Sequence, residues 1–251
     1  MDYLVKPVSQ ARLERTVNRV RTGSESFRTP PLGGSLAKGV GKIIITTLGD
    51  FYIQNEAGRV KWISSKSAEL FAYLLLNRGK RIARSRLLAD IFGGMTTDSA
   101  EKYLNTTVYQ LRKSLEPLGL REAIRSENDG YALELNNAVI DYEEFDRQTE
   151  KSGDMEHLDK ESLLQIERLY TGDLFGNKAY VWAIYETERL AELYASFVKR
   201  LSEGLVSLRN TNVALKLLLK LHVRNPLDES VVILLMKIHG QDGNKKGLTA
   251  Q

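Results

Sequence analysis

The hydrophobic positions of residues 42–136 predict strands first and helices afterwards. The β-branched run Ile43–Thr47 predicts a strand, and Phe51–Ile53 and Val60–Ile63 predict two more, separated by turns at 49–50 and 55–58. Apolar residues then recur at spacings of three and four, which is typical of amphipathic helices. The predicted helices are Ser67–Asn77, Arg84–Phe92 and Asp98–Leu115.

The third of these helices has a start signal, and a hairpin follows it. Asp98, with Glu101 three residues on, forms a capping-box pattern that predicts the helix start. The β-prone runs 123–126 and 131–135 flank a turn at 127–130 that ends in Asp129-Gly130, and Asp-Gly is a strong hairpin signal because the turn needs a positive φ. The predicted order is therefore strands, three helices and a β-hairpin.

Residues 137–251 are almost wholly helical in pattern. Leucine-rich segments with interleaved charges cover 163–169, 182–208, 213–223 and 228–239, and Asn225-Pro226 interrupts them. Helix pairs divided in this way indicate an α-solenoid repeat. The predicted fold class is mainly α with a small β component, a winged helix-turn-helix followed by an all-α helical-repeat domain.

Glycine, proline and small polar residues, which interrupt regular secondary structure, divide the chain further. Residues 1–22 have a short apolar strand-like piece, Lys6-Pro7 and a helical pattern, while residues 23–41 are rich in Gly, Pro and Ser and indicate a linker. We therefore predict four segments: 1–22, 23–41, 42–136 and 137–251.

Composition narrows the function classes. The 251 residues carry a net charge of +4, which permits a polyanionic partner. The chain has no cysteine, which excludes disulfides and thiolate metal sites and fits the cytoplasm. No signal peptide, membrane span, phosphate loop, nucleophile elbow or metal-ligand spacing is present. We predict neither a catalytic site nor a cofactor, metal or membrane partner.

The order of elements favours DNA as the partner. In a winged helix-turn-helix one helix fits the major groove and the hairpin lies against the backbone. If Leu104, Val108, Leu111 and Leu115 face the core, the opposite face can meet bases and phosphates. That face and the hairpin give the candidate contacts Lys102, Asn105, Thr106, Tyr109, Arg112, Lys113, Arg125 and Asn128.

Simpler explanations exist for these residues. Any surface helix has a polar face, and a solvated turn accounts equally well for Arg125 and Asn128. The basic run Lys80, Arg81, Arg84 and Arg86 either holds the DNA backbone or is simply solvated.

Residues 43–136 resemble the winged-helix domain shared by OmpR/PhoB-type response regulators and SARP-type antibiotic regulators. The likeness is carried by 47–51, 66–76, 85–93, Tyr109–Leu115 and Asn128–Leu133. Two departures are Gln110, where the family usually has arginine, and Ala83, where a capping serine is common. The first departure puts in doubt any backbone contact at that position.

The second half is similar to the bacterial transcriptional activator domain that follows this winged helix in the SARP-type family. The stretch Leu169–Phe175, Trp182-Ala183 and 188–190 carry that likeness. The stretch from Ala214 to Glu229 matches the tetratricopeptide pattern, with Pro226 as the helix stop. The chain ends at Gln251, where the resemblance predicts the second helix of another repeat.

Residues 1–22 resemble the end of a receiver domain, in which Lys6 would be the phosphoryl-sensing lysine. The resemblance implies a two-component transcription activator that lacks most of its receiver and pairs as a homodimer on DNA. It also implies a contact between RNA polymerase and the loop Gly94, Met95, Thr96 and Thr97. The alternative function is a protein-interaction module that acts through the repeat domain without direct DNA readout.

Overall fold

The computed structural model describes residues 42–93, 96–152 and 159–241. Seven strands and eight α-helices lie in these ranges. The strands are β1 (Ile43–Thr46), β2 (Tyr52–Asn55), β3 (Gly58–Arg59), β4 (Ile82–Ala83), β5 (Ile124–Glu127), β6 (Gly130–Leu133) and β7 (Ala138–Ile140). The helices are α1 (Ser65–Leu76), α2 (Arg84–Phe92), α3 (Thr97–Leu115), α4 (Asp141–Lys151), α5 (Lys160–Leu169), α6 (Ile184–Ser207), α7 (Thr211–Arg224) and α8 (Glu229–Gln241).

The first sheet has the strand order β3-β2-β1-β7. β1 pairs antiparallel with β2, where Ile45 lies opposite Ile53, and parallel with β7, where Ile45 lies opposite Ile140. Ile43 and Ile45 are buried while Ile44 between them is exposed, which is the period-two alternation of a strand with one face on the core. The sheet thus closes one side of the hydrophobic core.

Helix α1 crosses the core of the first half. It begins after Ser64, whose hydroxyl accepts from the backbone N of Ser67, while the Ser67 hydroxyl accepts from the backbone N of Ser64. This reciprocal box satisfies two backbone donors that a helix start leaves unpaired. The predicted apolar face (Leu70, Phe71, Leu74 and Leu75) is fully buried.

The second half is built of helices that pack as antiparallel neighbours. Helix α7 lies along α6 and α8, with Ala214 fully buried at the contact, as the repeat pattern predicts. Tyr170 stacks on Tyr194 with ring centroids 4.3 Å apart. The buried Glu167 accepts hydrogen bonds from the Tyr194 hydroxyl at 2.8 Å and from Lys220 Nζ at 2.7 Å, so this internal carboxylate is paired.

A backbone-to-backbone contact joins the two halves. Leu48 and Leu174 form an antiparallel bridge, and the backbone N of Gly49 donates to the carbonyl O of Asp173 at 2.9 Å. A Cβ on Gly176 would lie 1.9 Å from the carbonyl O of Gly49, and one on Gly172 would lie 2.7 Å from Gly49 Cα. Glycine is therefore required where the two chain segments meet.

Aromatic rings continue this contact. The ring of Phe51 meets the edge of Phe175 with centroids 5.0 Å apart, and Tyr73 meets Trp182 in the same way at 4.9 Å. Trp182 Nε1 also donates to Glu69 Oε1 at 3.2 Å. We call this set of contacts around 47–51 and 171–182 the joint; it makes one continuous hydrophobic core out of residues from both halves.

Asp141 ties β7 and α4 to the strand β1. Its carboxylate accepts from the backbone N atoms of Thr47 (2.8 Å) and Leu48 (2.9 Å) and from the Thr47 hydroxyl at 2.5 Å. Burial raises the pKa of Asp141 above its ordinary value, and the donors oppose that rise. The carboxyl is thus a structural group that orders the start of α4.

The architecture has the predicted fold class, but the predicted strand 60–63 is absent and the observed strands β4 and β7 were not predicted. Residues 60–63 do not form a strand: after the backbone N of Val60 donates to the Ile53 carbonyl at the end of the β2–β3 ladder, the chain leaves the sheet and the Trp62 ring packs on Phe51 and Phe71. β7 was not predicted as a strand; its pairing partner β1 lies about ninety residues earlier. Within the described ranges no helix is long and apolar enough to cross a membrane.

Candidate nucleic-acid interface

Helix α3 presents the candidate contacts and is anchored on its opposite face. Leu104, Val108, Leu111 and Leu115 are buried, as predicted. The predicted capping box was wrong, because the helix begins at Thr97 and Thr96 is the residue before it. Asp98 therefore lies inside the first turn, where its charge favours the positive end of the helix dipole.

The outer face of α3 carries exposed polar and aromatic side chains. Lys102, Asn105, Thr106 and Lys113 are exposed, and Tyr109 keeps 60% of its surface open to solvent. Residues 102, 106, 109 and 113 follow each other at spacings of four, three and four, so they form one continuous stripe. Two cations at its ends with a hydroxyl and a phenol between them suit phosphates and base edges.

The wing is the hairpin of β5 and β6, with a loop of two residues. Glu127 lies opposite Gly130, so Asn128 and Asp129 form the loop. The hairpin prediction is confirmed, but the residue with positive φ is Asn128 (47°) rather than Gly130. Gly130 lies in β6, opposite Ala83 and Glu127, and glycine is needed there because a Cβ would come 2.5 Å from the carbonyl O of Ile82.

Two candidate contacts belong to the wing itself. Asn128 is exposed at its tip, and Arg125 projects from β5, where its Nε lies 2.7 Å from Glu134 Oε2. Both members of this ion pair are about half exposed, so the pair is weak and Arg125 can exchange its partner for a phosphate at small cost.

Arg112 connects α3 to the wing. Its Nε and Nη2 donate to the carbonyl O of Ile124 at 3.2 and 2.8 Å, and Nη2 also donates to the Ser126 hydroxyl at 2.9 Å. The side chain is half-buried. The guanidinium is thus engaged by β5, and it holds the wing against the last turns of the helix.

Asn105 is connected to the same sheet through Arg84. Arg84 Nη2 donates to Asn105 Oδ1 at 2.8 Å, and Nη1 donates to the hydroxyl of Tyr131 on β6 at 2.8 Å. Between these two bridges, a groove of about 330 Å3 is lined by Asn105, Val108, Tyr109, Arg112, Lys113, Arg121 and Tyr131. The sequence placed Arg84 only within a basic run, and no sequence signal connects it with Asn105.

The other predicted positions are placed as follows. Gln110 Oε1 accepts from the Ser64 hydroxyl at 2.6 Å, so this residue serves the start of α1. Of the predicted polymerase loop, Gly94 and Met95 lie outside the described residues, Thr96 precedes α3, and Thr97 is its first residue. Lys6 and the predicted receiver remnant also lie outside the described residues.

Comparison with known proteins agrees with this geometry. Residues 58–133 match the family model described as "Transcriptional regulatory protein, C terminal". The matched segment contains α1, α2, α3 and the wing. It is a winged helix-turn-helix. The predicted resemblance to OmpR/PhoB-type regulators is thereby confirmed for these residues.

The likeness in fold extends beyond the winged helix. A solved structure of Mycobacterium tuberculosis EmbR in complex with a low-affinity phosphopeptide is similar over 83% of this chain, with a TM-score of 0.69 and 16% sequence identity. The chain covers 57% of the EmbR chain. No curated protein matches the chain significantly. The two matches support a transcription regulator whose winged helix is followed by a helical domain.

Proposed function

We propose that the chain is a sequence-specific DNA-binding transcription activator of two-component response-regulator type. The observation that supports this most is the exposed stripe Lys102, Thr106, Tyr109 and Lys113 on α3 beside the wing, within the segment that matches the regulator family. In this proposal α3 enters the major groove and the wing lies against the adjacent backbone or minor groove.

The roles of the residues follow from their chemistry. Lys102 and Lys113 contact phosphates, while Thr106 and Tyr109 touch base edges or a thymine methyl group. Arg125 and Asn128 contact backbone from the wing. Asn105 reads a base, and Arg112 contributes by holding the wing at its distance from the helix.

Two protein partners belong to the same proposal. The loop 93–97 precedes the recognition helix and would contact RNA polymerase, as in the PhoB-type activators that the winged helix resembles. Polymerase recruitment that survives charge reversal near Thr96 and Thr97, with DNA affinity intact, would contradict this. A homodimer on repeated half-sites would follow from the same resemblance, and half-site spacing would report its arrangement.

Selection of genomic fragments by the 251-residue chain tests the proposal. Retained DNA is sequenced at salt concentrations from roughly 50 to 200 mM, a range over which phosphate-dominated binding falls steeply. We expect a repeated short motif that is lost in Tyr109→Ala, while Arg168→Met, which removes an exposed charge from α5, retains it. Folded protein that retains no DNA at the lowest salt would contradict the proposal.

An interaction module without DNA readout is the second candidate. It is favoured by apolar side chains exposed where α7 ends and the turn to α8 begins: Val223 is 79% exposed and Leu227 is 89% exposed. Large exposed apolar residues close together indicate a partner surface. If Lys113→Ala and Tyr109→Ala leave regulation unchanged and Val223→Asp abolishes it, this second function is the correct one.

A further inference from the structure

The amide of Asn105 has a defined orientation on the outer face of α3. A guanidinium carries only hydrogen-bond donors, so the group of Asn105 that faces Arg84 must be the amide oxygen. The observed contact, 2.8 Å from Arg84 Nη2 to Asn105 Oδ1, has this polarity. The NH2 group of the amide therefore points away from Arg84, and Asn105 is exposed.

Arg84 is itself held in place by the sheet β4-β6-β5, which contains the wing hairpin and which we call the wing sheet. Its Nη1 donates to the hydroxyl of Tyr131, a residue only 5% exposed, and its guanidinium carbon lies 5.6 Å from the centre of that ring. Its backbone N donates to the carbonyl O of Asp129 at 3.0 Å. The position of Arg84, and with it the orientation of the Asn105 amide, is thus set within the protein.

We infer that Arg84 is a positioning residue that makes Asn105 a hydrogen-bond donor toward DNA, so that the base facing Asn105 is guanine. The inference rests on the proposed function. An unconstrained asparagine favours adenine, because its oxygen accepts from N6 while its NH2 donates to N7. Here the oxygen already accepts from a cation, which repels the amino hydrogens of adenine. Guanine offers two acceptors, O6 and N7, to the outward NH2.

The test compares operator preferences of variants in the 251-residue chain. Wild type, Arg84→Met, Arg84→Lys and Asn105→Ala are each used to select from random duplexes at about 50 mM salt, where phosphate contacts are strong. Dissociation constants are then measured on two duplexes that differ only by guanine or adenine at the selected position. Arg84→Lys keeps a donor and the charge, whereas Arg84→Met removes both.

We expect one motif position to be guanine in wild type and Arg84→Lys, to lose its preference in Asn105→Ala, and to become adenine in Arg84→Met. A bidentate contact discriminates by about fivefold or more, so the ratio of the two affinities should shift by at least that factor. A general loss of affinity from the missing charge would lower both values together and leave the ratio unchanged.

The outcomes separate the inference from the proposed function. A motif whose bases are the same in wild type, Arg84→Met and Asn105→Ala overturns the inference alone. Wild type that selects no motif overturns the proposed function and the inference with it. If thermal unfolding shows that Arg84→Met does not fold, Tyr131→Phe replaces it: this variant frees Arg84 from its anchor and should weaken the guanine preference, and an unchanged preference overturns the inference.

Discussion

The close approach of Gly176 to Gly49 makes a quantitative prediction about Gly176→Ala. The added Cβ would lie 1.9 Å from the Gly49 carbonyl O, and real contacts of this kind are essentially never shorter than 3.0 Å. The two segments must therefore separate by about 1.1 Å, the difference between these distances. The hydrogen bond from Gly49 N to Asp173 O, now 2.9 Å, would then exceed bonding distance, as would the one from Phe175 N to Thr47 O.

The expected loss of stability has two parts. Gly176 has a φ of 61°, and an L-residue there costs about 1–2 kcal/mol. Two lost backbone hydrogen bonds cost about 0.5–1.5 kcal/mol each. Gly176→Ala should therefore lower the free energy of unfolding by about 2–5 kcal/mol, a large fraction of the roughly 5–15 kcal/mol that a domain has in total.

Urea unfolding of three variants, followed by circular dichroism, measures these parts separately. Gly79→Ala has a similar φ (75°) but open space around its Cβ, so it should show only the conformational loss. Gly204→Ala in helix α6 also has open space and a helical backbone, and should gain about 0.5–1 kcal/mol. A loss in Gly176→Ala no larger than that in Gly79→Ala would refute the close approach at the joint.

Three further predictions concern the wing and a buried carboxyl. Lys113→Ala should reduce the slope of log affinity against log salt by about 0.9, the value of one phosphate contact. Arg112→Ala should leave that slope at its wild-type value and increase amide hydrogen exchange in the wing. A slope reduced in Arg112→Ala as much as in Lys113→Ala would contradict the proposal that Arg112 holds the wing and does not contact phosphate. Gly130→Ala should weaken DNA binding without global unfolding, because its Cβ pushes the wing from Ile82, and full affinity in a filter-binding assay would exclude that contact. The raised pKa of Asp141 means that its contribution to stability is complete below its unfolded pKa and declines as pH rises through the folded pKa; urea unfolding from about pH 4 to pH 7 should show this decline in wild type and not in Asp141→Asn.

Local patterns were sufficient for the helices of the first half. The bounds of α2 are those predicted from the spacing of its apolar residues, and α3 differs by one residue. The wing was predicted with its turn at 127–130, and the pairing register places the two loop residues, Asn128 and Asp129, at the centre of that segment. The need for glycine at position 130 comes instead from its close approach to Ile82, a contact with a distant strand that no local signal reports.

Features that depend on distant contacts were not predicted. β7 is three residues long and becomes a strand only because β1 offers it a parallel edge. The stripe on α3 follows from helical spacing, but the engagement of Asn105 by Arg84 and of Arg112 by Ile124 requires the position of the wing sheet. The sequence therefore predicted which side chains lie on the outer face of α3 and not the internal bonds that orient them.

The pairing of β7 with β1 affects how this chain can be recombined. A fusion or deletion made at residue 136, where the sequence pattern becomes almost wholly helical, would remove β7 and leave one edge of β1 without a partner. Unpaired edges attract strands of other molecules. The winged helix therefore cannot be excised as an independent domain at residue 136. A fusion protein that keeps it soluble must include the chain at least through Gly176, so that β7 and the joint are retained.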